Sequence, residues 1–122
     1  AANRQKRLSF VSGRRRALLE AMRDVDFEQL RASGVLEGVE RLVVAEHHAL
    51  FASVLGEPWS PPVAYRWIRY ESPDPIGALL AAGDRLDALW REHRVGLQER
   101  MQLYGAAEEG ELDRLEEVLA SL

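Results

Sequence analysis

The chain has no cysteine among its 122 residues, which excludes a disulfide framework, a thiolate zinc site and a cysteine nucleophile, and fits a reducing compartment. It has no threonine and only two isoleucines, and this shortage of β-branched side chains argues against a sheet. No apolar run approaches the length needed to cross a bilayer, and the first residues hold no apolar signal core. Neither a membrane span nor a secretory peptide is therefore expected, and the cytoplasm is the default location. Proline and the aromatics are scarce and unevenly spread: four of the five prolines, two of the three tryptophans and two of the three tyrosines lie between residues 59 and 75. The rest is mostly Leu, Ala, Arg and Glu, all ready helix formers. A chain of this length can bury one real core but not two, so one domain is expected.

Charge is ordinary on average and polar along the chain. The net charge is −4, yet residues 1–23 carry Arg4, Lys6, Arg7, Arg14, Arg15, Arg16 and Arg23 against Glu20 alone, a balance of 7 − 1 = +6. The remaining residues hold 9 basic against 19 acidic side chains, or −10, and "AAEEGELDRLEEVLASL" at the end has six acids to the single Arg114. A basic head can lie on a polyanion, or the head of one subunit can meet the tail of its neighbour.

Periodicity predicts an all-α, single-domain bundle of about five or six helices: a basic arm over residues 1–11, then a helical domain over 12–122. A first helix is expected from about Ser12 to Val25 on the stripe Leu18, Met22 and Val25. "DFEQLRASG" should form a short helix, with Asp26 as cap, Gln29 at the capping-box position and Gly34 as left-handed stop. A central helix follows on Leu36, Val39, Val43, His47, Leu50 and Val54, ending by Gly56. Within residues 59–75 a short amphipathic helix is expected, capped by Ser60, with Pro61 at its first position, and stopped by Pro73 near Ser72. Asp74 and Pro75 then open the longest helix, whose seam Ile76, Leu79, Gly83, Leu86, Trp90, His93, Leu97 and Tyr104 runs to Gly105 and should face another helix, in its own bundle or in a partner chain. Gly83 would permit close approach along it. The last helix, from about Glu108 to Leu122, should bury Leu112, Leu115, Val118 or Leu119, and Leu122, with its acids outward.

Chemistry-bearing patterns are few. His47 and His93 fall in apolar stripes, but neither helix has the Glu three residues before its His that a carboxylate-bridged di-metal bundle requires. They read as core or rim histidines, with no metal or other cofactor expected. The serines have no nucleophile-elbow context, no Gly-rich phosphate loop follows a strand, and the carboxylate pairs have the spacing of solvated helix faces. A binding protein rather than an enzyme is the expectation.

Two segments have the outline of a helix-turn-helix. The first, "FEQLRASGVLEGVERLV", puts Glu37 and Glu40 where a DNA reader needs neutral or basic groups. The second, "ASVLGEPWSPPVAYRWIRYE", resembles the helix, Leu-Gly turn and "VYRW"-like recognition helix of helix-turn-helix proteins, including some phage small terminase subunits. Its turn is longer than theirs, and Pro61 and Pro62 replace polar residues. The resemblance implies DNA contact through Arg66 and Arg69. The residues themselves fit better a plug of core aromatics, Trp59, Val63, Trp67 and Tyr70, with both arginines on the wet side.

"GRRR" at 13–16 places three cations at a helix start, against the macrodipole, as phosphate contact or an acidic partner surface would explain. The combined expectation is a small nucleic-acid-associated protein, of DNA-packaging or regulatory type. It would bind DNA or RNA through Arg4, Lys6, Arg7, Arg14, Arg15 and Arg16, with Arg66 and Arg69 secondary, and fold should survive removal of the three consecutive arginines. The alternative is a helical adaptor that binds protein through the seam over residues 76–104 and the acidic last helix. Seam and charge polarity together suggest a homo-oligomer.

Overall fold

The computed structural model describes residues 13–54, 72–100, 102 and 106–122. It is all-α, and no strand occurs among the described residues. Helix α1 covers 13–22, α2 Phe27–Ser33, α3 Val35–Ala49 with a π-helical turn Leu50–Val54 at its end, α4 Pro75–Glu92, α5 Leu97–Arg100 and α6 Ala106–Ala120. Ser12 and the whole run Trp59 to Tyr70, with Arg66 and Arg69, lie outside the described residues, as do Arg4, Lys6 and Arg7.

Local signals fix the corners. The Asp26 carboxylate accepts from the Gln29 backbone N–H at 3.3 Å, and Gly34 closes α2 at φ +76°, where a side chain would be strained. At α4 the Asp74 carboxylate accepts from Gly77 N–H at 3.1 Å, with Pro75 in the first turn. That bond, with the Arg23 guanidinium beside it, holds the Asp74 carboxyl below the usual range.

Cross-chain pairs set the directions. Arg16 meets Asp84 and Arg23 meets Asp74, so α1 and α4 are antiparallel. Gly38 lies under Leu115 while Glu46 and Glu108 share Arg15, which makes α3 and α6 antiparallel. One apolar cluster draws on α1 (Leu18, Leu19, Met22), α2 (Leu30), α3 (Val39, Val43), α4 (Leu79, Leu86) and α6 (Leu112, Leu115). Central α3 packs on α2, α4 and α6. Its stripe is buried at Leu36, Val39, Val43 and Leu50, with His47 half-buried.

Four expectations are corrected. The first helix stops at 22, three residues early, where turn bonds from Arg23, Asp24 and Val25 close it. The longest helix ends at Glu92 rather than Gly105. Val95 N–H bonds to Trp90 O and Arg94 N–H to Arg91 O, a Schellman closure that puts Arg94 at φ +56°, so a non-glycine residue does what Gly105 was expected to do. His93 becomes the C-cap and is exposed. In α6, Leu122 is exposed while Glu108 is buried. Along α4 the seam Ile76, Leu79, Gly83, Leu86 and Trp90 is buried within its own bundle, the first of the two arrangements that a heptad-like seam allows.

Candidate functional site

Three consecutive residues on a helix point about 100° apart, so Arg14, Arg15 and Arg16 cannot share a surface. Arg15 is the one that continues the apolar stripe Leu18, Leu19 and Met22 at i+3, i+4 and i+7, and it is buried to 2 % exposure. Its Nη1 donates to Glu46 of α3 and, at 3.3 Å, to Glu108 of α6. Its Nη2 lies 3.7 Å from Asp87 of α4. The Trp90 indole N–H donates to the other Glu46 oxygen at 2.8 Å. One polar group from each of α1, α3, α4 and α6 thus sits at a stripe position, and together they form a charged layer across the bundle.

Gly83 belongs to this layer. A Cβ there would stand 3.1 Å from Arg15 Nη2 and 3.3 Å from Nε. The close approach expected at Gly83 is therefore real, but what approaches is a guanidinium rather than a helix backbone.

Arg14 and Arg16 flank the stripe on opposite sides. Arg14 turns to α6, where it donates to Asp113 at 2.6 Å and to Glu116 from two nitrogens. These bonds, that to Glu116 foremost, hold its charge more firmly than in the free side chain. Arg16 turns to α4, donating to Asp84 at 2.7 Å, with Glu20 at 3.3 Å. Both remain open to water, and their acidic partners are more than two-fifths exposed. Among the described residues, the charge polarity of the chain is met in part within one molecule: Arg14 lies on carboxylates of α6 and Arg16 on one of α4.

Arg15 therefore departs from the expected surface role. A buried guanidinium between two buried carboxylates is not offered to phosphate, and its truncation should destabilise the fold. Glu46 and Glu108 were not among the expected site residues, although each occupies an apolar register: Glu46 with Val39, Val43 and Leu50, Glu108 with Leu112 and Leu115. Glu40, a mark against the first helix-turn-helix, is buried.

No group of three or more His, Asp or Glu side chains gathers at metal-ligand spacing among the described residues. His47 tilts against Phe51 with ring centroids 6.0 Å apart. Burial lowers its pKa from 6.5, opposed by the Glu46 charge and assisted by that of Arg85. The unfolded state then binds a proton that the folded state resists, so stability should fall as pH drops below 6.5 and level off below the folded-state pKa. Denaturant titrations on either side of that window are expected to show a shallower loss in His47→Gln. An unchanged slope would assign the pH dependence elsewhere.

Grooves open at the surface among the described residues. One of about 150 Å³ runs between α1 and α4 beside Arg15, Arg16, Gly83, Asp84 and Asp87. Another, of about 340 Å³, lies at the opposite end beside Phe27, Arg31, Leu36, Pro73, Pro75 and Ile76. No helix among the described residues is long and apolar enough to cross a membrane.

Compared with known proteins, the chain matches no family model, and neither a curated protein nor a solved structure is significantly similar to it.

Proposed function

We propose that this is a non-catalytic helical module that binds nucleic acid through its basic N-terminal head, with the bundle as scaffold. The observation that carries the reading is the division of labour at the start of α1. Arg15 is committed to the core, while on either side of it the part-buried Arg14 and the half-exposed Arg16 are engaged by acids that are themselves open to water. Such pairs are weak, roughly 0–1 kcal/mol, and oxyanions of phosphate satisfy the same donors. Arg4, Lys6 and Arg7 precede this point in the chain and extend the same charge. Arg66 and Arg69 are the secondary contacts.

The test is retention on a short labelled DNA duplex of mixed sequence, measured against salt. Replacing Arg4, Lys6 and Arg7 by Ala should weaken binding and flatten the slope of log affinity against log salt by roughly 0.7–0.9 for each phosphate no longer neutralised. Arg66→Ala with Arg69→Ala should matter less. If this double variant abolishes binding and the arm variant does not, residues 59–75 are the reader. Retention that is absent at low salt would sink the proposal.

A second reading, a helical adaptor that binds protein, is favoured by one feature. Phe27 is 41 % exposed beside the larger groove, with Arg31 stacked over its ring at 5.9 Å. The seam that first suggested this reading is taken up by the chain's own core from Ile76 to Trp90.

A further inference from the structure

Arg14 holds Asp113 and Glu116 together, one residue three positions after the other on α6, so both carboxylates present from one face toward α1. The guanidinium takes Glu116 through Nε and Nη2 and Asp113 through Nη2, a many-donor grip of the kind arginine uses on phosphate. On the other side Asp84 of α4 engages Arg16. We infer that Asp113, Glu116 and Asp84 act as internal stand-ins for phosphate, holding the basic head in a self-inhibited state that an incoming polyanion must displace. The inference rests on the nucleic-acid reading above and adds its regulation.

The layout suits exchange. The three acids keep side-chain exposures of 58 %, 42 % and 63 %, so water and an incoming phosphate can reach each carboxylate; the pairs of Asp84 and Asp113 are the cheapest to break, and the two-nitrogen hold on Glu116 is the firmest. Arg15, one residue from both, stays buried on Glu46 and Glu108. With Leu18, Leu19 and Met22 it keeps α1 docked while its neighbours change partners. Displacement therefore needs side-chain movement and no unfolding. Because the competing carboxylates belong to the same molecule, they act at high effective concentration whatever the protein concentration.

The experiment compares four full-length proteins on the same labelled duplex at one salt concentration. These are the parent, Asp113→Asn with Glu116→Gln, that pair combined with Arg14→Ala, and the charge-matched control Glu92→Gln with Glu99→Gln, whose side chains are exposed and distant in sequence from the head. The acid variant is expected to bind on the order of three- to tenfold more tightly than both parent and control, as release of one or two weak pairs allows. Adding Arg14→Ala should cancel the gain. Asp84→Asn, read separately, should give a smaller gain that depends on Arg16. An acid variant no tighter than the control means that only net charge matters, which overturns the self-inhibition and leaves the nucleic-acid reading standing. If neither the parent nor the acid variant binds the duplex, both fall. Circular dichroism of each variant should match the parent, since Arg15 and the apolar cluster are unchanged.

Discussion

Arg15→Ala is expected to lower the stability of the fold by about 3–5 kcal/mol, the range for removing one partner from a buried ion pair. The cause is what would be left behind: Glu46 and Glu108, 0 % and 2 % exposed, would lose their shared buried guanidinium and keep their desolvation. Denaturant midpoints would report the loss. A surface arginine would give a value near zero, so Arg15→Ala melting like the parent would refute the charged layer. The companion variant is more discriminating. Arg15→Met, Glu108→Leu and Glu46→Gln together fill similar volume, remove the charges and keep an amide oxygen as acceptor for the Trp90 indole N–H. Because an ion pair repays its desolvation poorly, this triple variant should recover most of the loss. If it is no more stable than Arg15→Ala, the paired charges themselves stabilise the layer and the charge left unpaired is not the cause of the loss. The same reasoning changes how the head is probed. Replacing Arg14, Arg15 and Arg16 at once would confound weaker phosphate binding with an unstable fold, whereas Arg14→Ala with Arg16→Ala leaves the core intact.

Much of the fold is legible in the sequence because its punctuation is local. Asp26 and Gly34 bound α2, and Asp74 with Pro75 opens α4, through bonds spanning three or four residues, so a short window contains the whole cause. The end of α4 was not legible for the complementary reason. Its closure uses Arg94 in the left-handed conformation, a residue type that carries no stop signal, and the seam continues on paper through Leu97 to Tyr104. The candidate site was half legible. A charge count sees "GRRR" as one basic run. The helical period splits it into a core residue and two flanking ones, and the stripe Arg15, Leu18, Leu19 and Met22 was there to be read. What no local window contains is the partner: Glu108 lies 93 positions from Arg15, and Glu116 lies 102 from Arg14. An isolated cation in an apolar stripe is therefore a prompt to seek acids in the stripes of other helices, and Glu46 and Glu108 both satisfy that search.

Trp90→Ala is the second large effect expected, about 3–5 kcal/mol, because the largest side chain of the core would be replaced by a cavity between α3 and α4. The interest lies in dividing that figure. Trp90 acts through its ring, which fills the layer beside Leu86, and through its indole N–H, which orients Glu46 so that the other carboxylate oxygen meets Arg15. Trp90→Phe keeps most of the apolar area and deletes only the donor, so it should cost less, about 1–3 kcal/mol for a buried acceptor that loses a partner. A double-mutant cycle with Glu46→Leu, which removes the acceptor, then isolates the interaction, since residues in one network couple by roughly 0.5–3 kcal/mol and independent ones do not. Coupling in that range would show that Trp90 and Glu46 act as one unit through the indole N–H. Additive losses, with Trp90→Phe matching the parent, would reduce Trp90 to packing and leave the orientation of Glu46 to Arg15 alone.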